Sequence, residues 1–246
     1  MKASAAARRA AAFAVAHGDA LARARAAALA LEGPLSAVLE ELDLAWPDET
    51  EDALLGRLRV CDEQGAQADA RVERACMRLA ALQQPDGGFG AQLEDDARLQ
   101  RTGMIAGILA KTPFARPALL DAAGDFLARH FAPERVQGFQ WENLEACAQF
   151  FANAPHERAD EVLQWCGREL ERGFRARAFD AVRTVRLLAG CDAHVLPGAR
   201  LAPAELSAAL LAEQAGDGGF GLPVAPARER VEPTLDAIVG LRHLSA

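Results

Sequence analysis

The 246-residue chain has a formal charge of −8, is 51% hydrophobic and contains no tyrosine. An acidic balance argues against a nucleic-acid partner, because phosphate binding needs a basic footprint. No apolar run of about 18 residues is free of charge, so no membrane-spanning segment is expected.

The length suits one domain, 1–246, with one sizeable core or two small ones. Residues 3–31 are Ala/Arg-rich and read as one long helix or two. That composition also fits a transit peptide, but the acids Asp19 and Glu32 favour an ordinary amphipathic helix. Ser36 to Leu44 reads as a short helix with Leu35, Val38, Leu39 and Leu42 on one face. Asp48 is placed to cap a helix over 49–63, which Gly65 stops. A helix over 68–83 leads into Gln83-Gln84-Pro85-Asp86-Gly87-Gly88-Phe89-Gly90. Residues 91–98 form an acidic connection, and 99–112 form an apolar helix ended by Pro113. Pro117 opens the next helix, which runs to Phe131. Gly138-Phe139 precedes a helix over Trp141–Asn153, and Gly173-Phe174 precedes one over 176–189. Residues 157–172, 203–214 and 230–245 supply the remaining helices. Five cysteines (61, 76, 147, 166, 191), odd in number and without close pairing, suit buried thiols in a reducing, cytoplasmic setting.

The stretch at 83–90 returns as Gln214-Ala215-Gly216-Asp217-Gly218-Gly219-Phe220-Gly221. Gln83 and Gln214 can use their amides to satisfy backbone groups at the end of a helix. Asp86 and Asp217 can accept from a backbone N–H two residues on. The glycine pair permits positive φ, and Phe89 and Phe220 can fold back between neighbouring helices. The phenylalanines at 89, 139, 174 and 220 are 50, 35 and 46 residues apart, a period that means stacked helical units.

Gln-x-x-Asp-Gly-Gly-Phe-Gly resembles the glutamine-aromatic repeat of the terpene cyclase and protein prenyltransferase β-subunit superfamily. The resemblance implies an all-α α/α toroid, small or incomplete, of about five or six helix pairs. Residues 1–65 lack the repeat and are either a helical cap or the first pairs. In such a fold the helix after each repeat lines a central cavity. Its polar N-terminal residues, here Arg101, Trp141, Glu142, Asn143, Arg183 and Glu232, would then contact substrate. Glu94, Asp95 and Asp96 are nearest to the family's Asp-x-Asp-Asp proton donor, but Leu93 stands where its first aspartate belongs. A dry, hydrogen-bonded pocket is what keeps such an acid protonated.

The same three acids could hold one Mg²⁺. Glu145-Ala146-Cys147 and Cys191-Asp192-Ala193-His194 carry zinc-type ligands without the family's Asp-x-Cys pattern, so no metal site is assigned. His17, His130, His156 and His243 read as solvated. Aromatics are 6% of the chain, few for a cavity that steadies cations on ring faces. Two readings follow. One is an enzyme acting on an apolar, isoprenoid-type substrate. The other is a non-catalytic toroid that binds an apolar small molecule or a helical protein partner.

Overall fold

The computed structural model describes residues 5–30, 33–42 and 50–245. Among them the α-helices are, in order, α1 Ala5–His17, α2 Ala20–Ala30, α3 Leu35–Glu41, α4 Glu51–Glu63, α5 Ala70–Ala80, α6 Asp95–Ala110, α7 Pro117–His130, α8 Trp141–Asn153, α9 Ala159–Arg175, α10 Ala181–Gly190, α11 Pro203–Ala212 and α12 Val231–His243. No strand occurs among the described residues, so the expected all-α class is the observed one. No described helix is long and apolar enough to cross a membrane.

The chain divides into two compact units. The middle unit takes Trp46–Phe179 and Gly190–Arg200, and the terminal unit takes Met1–Ala45, Asp180–Ala189 and Leu201–Ala246. In the middle unit α4 packs on α6 and α6 on α8, while α5, α7 and α9 pack on α4, α6 and α8 respectively. Helices α6 and α8 approach closely because Gly103 faces backbone: a Cβ there would stand 2.4 Å from the Ala146 carbonyl oxygen. In the terminal unit α12 packs against α1, α2 and α11, and α2 also packs against α3. A Cβ at Gly240 would lie 2.9 Å from Val185, so α10 also abuts α12.

Several expected boundaries shift for local reasons. The N-terminal run breaks at Gly18, after which the Asp19 carboxylate caps α2 by accepting the Ala22 N–H at 2.8 Å. Asp48 lies outside the described residues; Thr50 caps α4 by accepting from Ala53 at 3.3 Å. The connection expected over 91–98 ends sooner, because α6 begins at Asp95. Gly173-Phe174 is not a turn but the end of α9. Gly173 there forms a flat seat for the Phe179 ring, which a Cβ would meet at 2.2 Å. Phe179 is therefore the buried aromatic of that repeat, and the helix after it starts at Ala181 rather than Ala176.

Candidate functional site

The two hooks are built alike, atom for atom. Gln83 donates its amide to the Gly87 carbonyl (3.0 Å) and to that of Leu119 on α7 (2.9 Å). Gln214 donates to Gly218 (2.9 Å) and to Ala6 on α1 (3.0 Å). Asp86 accepts the Gly88 N–H at 3.1 Å, and Asp217 accepts the Gly219 N–H at 3.0 Å. Phe89 and Phe220 are fully buried, and each backbone N–H donates at 2.9 Å to a buried hydroxyl, Thr102 or Thr234. Gly87 and Gly218 have φ of +91° and +92°. A side chain at either would also strike a neighbouring helix, at the carbonyl of Ala122 or of Arg9.

Each hook extends beyond its motif. Arg98 bonds both Asp86 oxygens and lies 4.9 Å over the Phe126 ring, which stacks on His130. Arg230 bonds both Asp217 oxygens, lies 4.8 Å over Phe13, and Phe13 meets His17. His17 is exposed, as expected, and His130 is half-buried; each lies against the phenylalanine four residues before it. The readable signal was the shared Phe-x-x-x-His spacing of α1 and α7. The Arg230 bond and the Gly219 N–H hold the Asp217 carboxyl down at about 2. At Asp86 burial works upward, but the Gly88 N–H and Arg98 outweigh it, leaving the carboxyl below its usual range.

Glu94, Asp95 and Asp96 are exposed. Glu94 is the N-cap residue of α6, and Asp95 and Asp96 occupy its first turn, where the helix dipole favours negative charge. With Ala97, Gln100 and Arg135 they line an open depression of about 830 Å³. Asp96 is paired with Arg135 at 2.8 Å. Asn143 is buried there and acts as a brace: it accepts from Gln100 and donates to the Arg135 carbonyl, both at 2.9 Å. Of the other expected contact residues, Arg101, Trp141 and Glu232 are engaged elsewhere. Arg101 pairs with Glu51 and Asp52 at the start of α4. Trp141 is buried, donates to Glu145 at 3.2 Å and packs edge-on against Phe179. Glu142 is exposed on α8. In the terminal unit Arg183 is exposed, with its backbone N–H on Asp180, and Glu232 accepts twice from the buried Arg25, at 2.9 and 3.0 Å.

No protein-family model, curated protein or solved structure matches the chain. The functional reading therefore rests on the chemistry of its own side chains.

Among the described residues no three His, Cys, Asp or Glu side chains are grouped to hold a metal ion. Glu145 is shared between Trp141 and Arg59. Cys147 is fully buried, and burial pushes its thiol up to about 12. A residue to which the sequence assigned no role is Asp236, which stands in Thr234-Leu235-Asp236 on α12, four positions after Glu232. Its carboxylate meets Arg186 at 3.1 Å. Although 35% of that side chain stays open, surrounding protein desolvates the carboxyl. Burial, aided by Glu232, holds it above the usual range against Arg186 and Arg25.

Proposed function

We propose that the chain is a non-catalytic binding module of the α/α toroid kind whose partner is a helix of another protein. The observation that carries this reading is a contrast. Both hooks have their motif polar groups engaged and each grips a helix of the same Phe-x-x-x-His register. The acids that alkene protonation would need stand open to water instead of in a dry pocket. Five unpaired, buried cysteines favour a reducing, cytoplasmic setting.

The test is incubation of the full chain with farnesyl diphosphate, geranylgeranyl diphosphate and squalene, with and without Mg²⁺ or Zn²⁺. No turnover is expected. Product formation that disappears in Asp95→Asn would overturn the reading in favour of a terpene-cyclase-like enzyme using the 94–96 acids.

One observation favours that second, enzymatic reading in altered form. Asp236 has a desolvated carboxyl held above its usual range, as a general acid requires, even with Arg186 beside it, whereas Asp95 is exposed. Turnover lost in Asp236→Asn but kept in Asp95→Asn would place the chemistry on α12.

A further inference from the structure

The two hooks work under different connectivity. In the middle unit the gripped helix α7 follows α6 within the same run of chain, and Gln83 reaches a carbonyl 36 residues away. In the terminal unit the hook at 214–220 grips α1, and Gln214 reaches a carbonyl 208 residues away. No short covalent link backs up that seam. It is held by the Gln214 bond to Ala6, by Arg9 on Gln214, by Arg230 over Phe13, and by Arg25 of α2 on Glu232. Outside their own N-terminal segment, α1 and α2 pack chiefly on α12. Releasing α7 disturbs α6 and α8, to which it is joined on either side. Releasing α1 and α2 together breaks one seam only. Loop-closure entropy works in the same direction, since contacts between distant chain segments are the harder ones to restore.

We propose that α1–α2 is a latch that opens at the α12 seam while the rest of the chain stays folded. Opening lifts Arg25 from Glu232, which is already exposed, and takes it away from the Asp236 carboxylate. It also vacates the seat between Gln214 and Phe220, which α1 fills with the Phe13 ring. The latch stands independently of the binding reading, because it concerns the order of opening.

Native-state hydrogen exchange on the full chain tests it, read by mass spectrometry for the wild type, Phe13→Ala and Phe126→Ala. Amides of α1 and α2 are expected to exchange through an opening that neither α6 and α8 nor α11 and α12 share. Phe13→Ala should raise exchange in α1 and α2 by at least ~10-fold, given what losing a buried ring costs, and leave α6 and α8 unchanged. Phe126→Ala should raise exchange across α6, α7 and α8 together. Should Phe13→Ala fail to fold, Arg230→Lys weakens the same seam and should give the same pattern more mildly. Protection of α1 and α2 that moves as one with α11 and α12, or with α6 and α8, in every variant would overturn the proposal.

Discussion

Arg230 holds Asp217 at 2.7 and 3.0 Å while its guanidinium lies 4.8 Å over the ring of Phe13. One planar side chain thus ties the acid of the hook to the helix that the hook grips. Lysine has neither the fork nor the flat face. Arg230→Lys should therefore cost about 1–2 kcal/mol, read as a lower urea midpoint. The exposed neighbour Arg228 offers the control: Arg228→Lys should stay within about 0.5 kcal/mol of wild type.

Asp217 and Asp236 should respond to acid in opposite senses. The folded-state carboxyl of Asp217 is depressed to about 2. Its contribution is present above the unfolded value near 3.8 and drains away as pH falls toward 2. Asp236 is raised, so its contribution is complete below the unfolded value and is lost as pH climbs through the folded one. The stability deficit of Asp217→Asn should shrink on acidification from about pH 4 to about pH 2. Asp236→Asn should instead gain on the wild type as pH rises from about 4 toward neutrality. Urea midpoints across that range decide it, and parallel curves would refute the assignment.

The chain has two lysines, Lys2 and Lys111, against 25 arginines. Lys111 is only 6% exposed and meets Asp62, itself 8% exposed, at 2.8 Å, with Asp192 at 3.1 Å and the Gly190 carbonyl at 3.3 Å. A compact ammonium suits three acceptors arranged around one point, where a planar fork does not. Lys111→Met should destabilise by about 3 kcal/mol by leaving Asp62 buried without its counter-charge. Adding Asp62→Leu should recover most of that loss.

Backbone geometry supplies a matched pair of substitutions. Arg177 is exposed at φ +58°, just past the end of α9, where the Ala178 and Phe179 N–H groups turn back to the Gly173 carbonyl. Arg177→Gly relieves a left-handed conformation and should stabilise by about 0.5–1 kcal/mol. Gly103→Ala does the reverse, forcing a methyl against the Ala146 carbonyl of α8. Overpacking of that kind costs about 1–3 kcal/mol, and thermal melts of both variants would show it.

Local punctuation explains what could be read from the chain beforehand. Helix α8 has its expected bounds, Trp141–Asn153, because Gly138-Phe139 precedes it and Ala154-Pro155 follows. Pro117 marks the first turn of α7 in the same way. Gly173-Phe174 misleads because a glycine chosen for close packing looks like one chosen for a turn. Arg98 and Arg230 complete the hooks from 12 and 13 residues downstream, across connections of different composition, so no spacing rule announces them. The acids at 94–96 are plain in the sequence, but their openness to water is a tertiary property. Asp236 is the converse, an ordinary helical aspartate until its neighbours desolvate it.

All five thiols lie in one half of the molecule: Cys61, Cys76, Cys147, Cys166 and Cys191 are buried members of the middle unit, and the terminal unit has none. Burial pushes each above its ordinary value, Cys61 to about 11 and Cys191 to about 12. A thiol-directed dye is therefore a one-sided reporter. It stays dark while α1 and α2 come and go, and it lights only when the other half gives way, so the natural sequence separates partial from complete unfolding without an added label.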